Sequence, residues 1–355
     1  MKLSGTSKRR HIPTLDGWRA LAILLVLWAH QGNVFYATPE AYLRGGLFYF
    51  GTWGVPVFFG LSGLLITKLL LEEQDRAGRI DLPAFYLRRC RRILPPLFVY
   101  LAVVAALGLA QSGNELWSCV LFFRNYLPWR QGGWYTGHLW SLSVEEQFYL
   151  FWPALLVWAG VRRGAVAALG LSVLSAAWRW WNLFPGGSER TDLRLDSLLF
   201  GAVLAFALHS ERGREVLRRG LTPAGWAGCS AALLVSIHFG SLAGASATIP
   251  LLIAGTVLHP EWWLSRVLEA RPVRGLGRIS YSLYLWQQLF LYPPWQPKPW
   301  GGVLQTFPVS LAAAFGCALV SYFVVEQGFW SKKKGQADTP VPVVAETIAI
   351  SKVQR

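Results

Sequence analysis

The chain has 355 residues, of which 53% are hydrophobic and only 15% charged. Soluble domains carry closer to a quarter of their residues as charges, so this composition excludes an ordinary water-soluble globule and points to a helical membrane protein. The net charge of +15 would suit a nucleic-acid binder, but basic residues gather in the cytoplasmic loops of membrane proteins, which accounts for the charge without nucleic acid.

Residues 1–14 hold Lys2, Lys8, Arg9 and Arg10 and are expected on the cytoplasmic side. With the apolar run that follows they read as an uncleaved signal anchor, because WAHQGNVFY lacks a small-x-small cleavage site. The first helix, LDGWRALAILLVLWAHQG from Leu15 to Gly32, organises the chain. Arg19 and His30 are eleven positions apart. That spacing is three turns plus roughly 20°, so both fall on one face, about 16 Å apart along the axis. Ionisable residues on one stripe of a spanning helix face a protein interior or a wet cavity and mark a functional site. A second helix, near 46–71, is rich in Gly and Pro, a composition that permits close packing. A cytoplasmic loop over 72–92 is expected to end in FYLRRCRRILPP, and a third helix follows to about residue 111.

Residues 112–138 read as a longer, partly apolar outer segment. Helix four starts near HLWSLSVEEQFYLFWP and runs to Arg162 and Arg163; helix five covers about 164–181, and helix six about 194–209. ERGREVLRRG is cytoplasmic, helices seven and eight form a hairpin over 222–258, and 259–278 returns inside with four arginines. Helix nine begins at Ile279, and helix ten ends near residue 326. The expected architecture is all-α, a bundle of about ten transmembrane helices with both termini cytoplasmic. Residues 1–330 form the membrane domain, and 331–355 a polar, flexible cytoplasmic tail too short for an appended soluble domain. This topology puts 25 of the 34 Lys and Arg residues on the inner side, the asymmetry that orients such proteins. Trp residues at the ends of apolar runs, such as Trp53, Trp117, Trp262 and Trp300, suit an interfacial belt. Cys90, Cys119, Cys229 and Cys317 are dispersed and form neither a disulfide framework nor a metal site.

Five groups of residues could carry chemistry. Asp16, three positions before Arg19, can pair with it on the helix, and His30 has the ring of a general base. Arg88, Arg89, Arg91 and Arg92 can bind phosphates bidentately, as in a phosphate-rich molecule such as coenzyme A; read alone, they also suit topology and anionic lipid. Glu145 with Glu146, Arg194 with Asp196, and Glu326 complete the set. Singly, such charges are more often helix-end charges or ion pairs; together they imply a polar chamber inside the bundle.

These residues fall in motifs by which the chain resembles acyltransferase family 3, integral-membrane enzymes that acylate sugars, polysaccharides and some secondary metabolites. LDGWRALAILLVLWAH carries the family's Arg-x10-His pattern at Arg19 and His30. FFGLSGLLI holds its Ser-Gly motif at Ser62 and Gly63, and YLRRCRRILP its Arg-x-x-Arg at Arg89 and Arg92. HLWSLSVEEQFYLFWP, RLDSLLFGAVLA, GRISYSLYLW and YFVVEQGFW follow in family order. Two positions depart: Gln287 stands where many members have His, and Gln327-Gly328 follows the last Glu where many have Pro. Neither departure is expected to touch the Arg19–His30 pair.

The resemblance implies transfer of an acyl group, with acetyl expected, from cytoplasmic acyl-CoA to a hydroxyl of a carbohydrate or glycolipid acceptor, without a metal, in a bacterial inner membrane. It implies that Arg89 and Arg92, with Arg88 and Arg91, hold donor phosphates. His30 is then general base or transient acyl carrier, Arg19 positions the donor, Asp16 orients Arg19 and Glu326 tunes the site. Ser62, Glu145, Glu146, Arg194 and Asp196 are the expected acceptor-side residues. An exporter or flippase of a polar lipid or glycan would also need a charged membrane cavity and is the alternative; a structural subunit of an envelope-polymer assembly is a third.

Overall fold

A computed structural model describes residues 12–35, 51–127, 132–182, 189–293 and 300–328, with the side chains of 32–35 excepted. Those residues are helical throughout, without strands. Helix α1 spans Pro13–Phe35, α2 Gly54–Ala77 and α3 Leu82–Ala106. The short α4, Gly113–Val120, leads to a long helical run α5, Leu139–Trp181. Next come α6 Leu195–His209, α7 Glu211–Gly220, α8 Pro223–His238 and α9 Leu242–Leu258. Short helices α10 Trp263–Leu268 and α11 Arg271–Arg278 precede α12 Ser280–Phe290 and α13 Val309–Val320. A π turn, Ser321–Glu326, prolongs α13.

The order matches the sequence expectation, with corrections. The loop expected over 72–92 is only residues 78–81, because two local signals close it. Gly78 ends α2 in the left-handed region, and the Asp81 side chain caps α3 by accepting from the Ala84 amide at 3.0 Å, with Pro83 in the first turn. Both are standard stop and start chemistry. The basic cluster therefore lies on a helix, not in a loop. The break between the expected helices four and five is a kink within α5. Gly160 sits there at φ 76° and ψ 166°, a conformation that side chains disfavour. The outer segment 112–138 is not featureless; it holds α4 and two single turns, Arg124–Tyr126 and Trp134–Gly137. The expected tail after 331 and the end of the first outer loop lie outside the described residues.

Helix α1 is central. It packs against α2, α9, α10, α11 and α12. Its first turns are pinned by polar contacts to distant segments: Thr14 Oγ1 donates to Glu269 at 2.6 Å, and Trp18 Nε1 to Thr256 Oγ1 at 2.8 Å. Helices α2 and α6 cross closely, where small residues let backbones touch. A Cβ on Gly63 would stand 1.8 Å from the Leu198 carbonyl oxygen, and one on Gly201 2.2 Å from that of Gly60. This crossing fixes the face of α2 that carries Phe58, Phe59 and Ser62.

The molecule is apolar outside and polar at its centre. Trp158, Trp180, Trp181 and Phe151 are among the most exposed side chains, while Asp196, Gln287, Arg124 and Glu115 are almost fully buried. Large exposed apolar surface is the mark of a lipid or partner contact. Among the described residues, three helices are long and apolar enough to cross a membrane, namely Gly51–Ala77, Trp134–Trp181 and Val309–Glu326. The α7–α8 pair, bent by 81°, adds a fourth if it counts as one span.

Candidate active site

The expected polar stripe of α1 faces a row of three adjoining cavities. The one at the N-terminal, Arg19 end of α1, the inner cavity in that sense, is about 930 Å³ and is walled by Asp16, Arg19, Lys68, Glu72, Arg89 and Arg92 among others. The central one, about 680 Å³, shares Arg19, Ser62, Arg89, Arg92 and Tyr149 with it and adds Glu145, Ser141, Tyr281 and Tyr284. The outer one, about 500 Å³, holds His30, Trp134, His138, Trp140, Glu189 and Gln288. Val55 and Tyr284 belong to both the central and outer walls.

Helical spacing sorts the basic cluster. Arg89 and Arg92 are three apart and share a face of α3, which is the face that lines the inner and central cavities. Arg88 points elsewhere and pairs with Glu73 at 3.1 Å, and Glu73 also accepts from the Asp81 amide at 3.2 Å. Arg88 thus ties α2 to α3, and Arg91 lines none of the three cavities. The Arg89 guanidinium lies over the rings of Tyr149 at 5.1 Å and Phe85 at 5.8 Å. Ring faces hold a guanidinium while leaving its edge donors available to a ligand. Lys68 pairs with Glu72, and Asp16 meets Arg278 at 3.7 Å. The cations of the inner chamber outnumber its carboxylates, a balance that suits a polyanion.

Glu145 is the hub of the central cavity. It accepts from both Ser62 Oγ and the Tyr149 hydroxyl, one turn further along α5. Glu146 turns away; its Oε1 is buried without a hydrogen bond among the described residues, and it lines none of the three cavities. Glu326 sits on the π turn, accepts from Ser282 Oγ at 3.1 Å and is subject to the charges of Arg92 and Arg19. π turns recur at functional sites.

At the outer end, His30 Nδ1 lies 2.8 Å from Gln287 Oε1. A carbonyl oxygen can only accept, so Nδ1 carries the proton and Nε2 keeps its lone pair. The expectation that Gln287 stands clear of the Arg19–His30 pair is therefore corrected: Gln287 is the orienting partner of His30. Trp134 meets the imidazole edge-on, with ring centroids 6.0 Å apart.

Arg194 and Asp196 part company. Arg194 lies over Trp140, 5.2 Å from its ring centroid, behind the outer wall. Asp196 is fully buried and engages Arg179, with Nη1 to Oδ1 at 2.9 Å and Nη2 on Oδ2. Arg179 Nη1 also donates to the Leu193 carbonyl at 2.7 Å. Asp196 thus fastens α5 to α6 and does not line the cavities.

Two further residues line the outer cavity without having been singled out from the sequence. His138 lines the outer cavity beside His30, with its ring packed against Tyr100 and Tyr284. It opens the HLWSLSVEEQFYLFWP segment, just ahead of the part from Trp140 to Tyr149 that carries the motif. Glu189, shortly before α6, faces the same cavity. Burial pushes its carboxyl up to about 7, against the downward pull of Arg124 and Arg194.

The wall that carries Trp134 and His138 is held by a buried polar network. Glu115 accepts from the amides of Gln111 and Gly133 at 2.7 and 2.8 Å and from the Thr136 hydroxyl. Arg124 Nε donates to Thr136 Oγ1 at 3.1 Å. A second triangle, Gln147–Asn125–Thr191, joins this segment to α5 and to the loop before α6.

The acyltransferase domain family matches residues 12–326. The chain belongs to that family. It is 29% identical to the peptidoglycan O-acetyltransferase OatA of Listeria monocytogenes, over 95% of this chain and 60% of the relative. It is 31% identical to a putative O-acetyltransferase of Staphylococcus aureus, over 79% of this chain and 50% of the relative. It is 32% identical to the putative peptidoglycan O-acetyltransferase YrhL of Bacillus subtilis, over 92% and 57%. The chain thus spans between half and three fifths of the length of these relatives. No solved structure matches it. Within this acyltransferase domain, the motif residues Arg19, Ser62, Arg89, Arg92 and Glu145 converge on the central cavity, and His30 lies in the next cavity along the same helix.

Proposed function

We propose that the chain is a multi-pass membrane O-acyltransferase that moves an acetyl group from a cytoplasmic acyl-CoA to a hydroxyl of a carbohydrate acceptor in the cytoplasmic membrane of a bacterium. The observation that carries this is the row of cavities, with cations at one end of α1 and His30 at the other. The names of the relatives favour a cell-wall glycan as acceptor. The apolar exterior and polar centre support the membrane setting.

In this reading Arg19, Arg89 and Arg92 hold the donor's phosphates at the inner end. The flexible arm of the donor covers the roughly 16 Å between the levels of Arg19 and His30. The acceptor sugar enters the outer cavity, where the Trp134 and Trp140 rings suit sugar faces and Glu189 and Gln288 offer hydrogen bonds. His30 Nε2 takes the proton of the acceptor hydroxyl as its oxygen bonds to the thioester carbonyl carbon. The carbon–sulfur bond then breaks, and the departing thiolate takes up the proton from the imidazolium. Gln287 keeps Nδ1 protonated, so that Nε2 is the basic nitrogen throughout.

The test is His30→Ala in protein confirmed to be inserted, assayed with labelled acetyl-CoA and a muropeptide or oligosaccharide acceptor. Removing a general base is expected to lower transfer by about 10²- to 10⁴-fold. A well-inserted His30→Ala protein with full transfer would overturn the reading. Export of the glycan with no thioester consumed would establish the transporter alternative instead.

A further inference from the structure

We propose that Val55 and Tyr284 form a size filter between the donor and acceptor chambers, which restricts the enzyme to short acyl groups. The inference rests on the acyltransferase reading above and adds the determinant of acyl length.

Val55 and Tyr284 are the two residues common to the central and outer cavity walls. The two chambers thus adjoin at an α2 side chain and an α12 side chain, which a group carried from the Arg19 chamber to His30 would meet. Tyr284 is almost fully buried and held on all sides. Its hydroxyl donates to the His138 carbonyl at 2.7 Å and lies 2.6 Å from Ser141 Oγ. Its ring packs edge-on against Phe58, with centroids 6.2 Å apart, and lies 5.3 Å from that of His138. Two hydrogen bonds and two ring contacts leave the phenol little rotamer freedom, so this part of the shared wall is rigid. Val55 is also stiff, since a β-branched side chain in a helix keeps one rotamer. A rigid aperture between rigid walls discriminates by volume. It passes a two-carbon group and obstructs a longer chain, which would have to displace a packed ring.

The experiment uses the full chain in detergent or nanodiscs with acetyl-, butyryl- and hexanoyl-CoA at equal concentration, reading acylated acceptor by mass spectrometry. The variants are Tyr284→Ala, the milder Val55→Ala and the obstructing Val55→Phe. The wild type is expected to favour acetyl. In Val55→Ala the hexanoyl-to-acetyl ratio should rise by about tenfold, the scale on which a pocket resolves a methylene or two. Tyr284→Ala should raise it further, and Val55→Phe should shift selectivity further towards acetyl. If Tyr284→Ala is poorly inserted, Val55→Ala carries the test alone. An unchanged ratio in inserted Val55→Ala and Tyr284→Ala, with acetyl transfer by the wild type intact, would overturn the filter. A wild type that transfers no acyl group from any thioester would instead overturn the donor reading, and the filter with it.

Discussion

The two ends of the cavity row are built differently. At the inner end the walls are long helices, and Arg19, Arg89 and Arg92 reach the chamber because their spacing puts them on the right faces of α1 and α3. At the outer end much of the wall is loop and short turn. It is held by Glu115, Arg124 and Thr136, buried groups that satisfy one another across as many as 21 positions in the chain. An inner wall of this kind tolerates loss of one side chain, since the helices stand on their own packing. An outer wall of this kind depends on each hydrogen bond, because a buried donor or acceptor left alone costs its full desolvation.

Four tests bear on that contrast. Arg89→Ala with Arg92→Ala should have the largest effect, raising the apparent KM for the acyl donor by about 10- to 100-fold, on the scale of lost charge-assisted contacts. The fold should be intact by thermal unfolding, and an unchanged donor KM would return both residues to a topological role. Next, Gln287→Leu should lower kcat by about an order of magnitude with little change in donor KM, because the imidazole loses its orienting acceptor. Gln287→His, which restores a hydrogen-bonding ring at this position, should recover most of that loss. A kcat for Gln287→Leu equal to wild type would show that the tautomer is set elsewhere.

Thr136→Val tests the outer wall itself. It removes the hydroxyl that links Arg124 to Glu115 and should destabilise by about 1–3 kcal/mol, read as a lower midpoint of thermal unfolding in detergent. No shift would mean that water replaces the hydroxyl. The smallest effect is expected at Glu189. Its carboxyl is neutral below about pH 7 and charged above it. A charged carboxylate accepts more strongly from a sugar hydroxyl, so acceptor KM should fall a few-fold as pH rises through 7. Glu189→Gln should flatten that limb, and a limb that persists in the variant belongs to another group.

This contrast also governs what the sequence reveals. The Arg19–His30 face follows from eleven positions of helical spacing and needs no partner. The extent of α3 was legible in principle, since Asp81-Leu82-Pro83 is a cap followed by a first-turn proline, but the basic run that follows suggested a loop. The outer wall was not legible. Nothing local distinguishes Arg124, which is buried, from Arg190, which pairs on the surface with Asp192. Partner choice between helices is equally hidden. Asp196 looked like a site residue from its motif, yet it closes on Arg179, and Gln287 looked remote from His30, yet it touches it. These pairings depend on how the helices cross, which spacing within one helix does not encode.

The π turn at the end of α13 has a consequence for register. It fits one residue more than an α-helix would into that stretch, so the positions after Ser321 are out of phase with those before it by about 100°. A helical wheel drawn straight through from Val309 would therefore misplace Glu326, whose carboxylate meets Ser282 only because the slip has occurred. Removing a single residue from the stretch would let an ordinary α-helix form with no loss of backbone pairing. The last acidic side chain of the domain would then keep its direction, whereas straightening the turn into an α-helix at its present length would swing that side chain by about 100° away from α12. The length of this segment, and not only its composition, is part of what specifies the site.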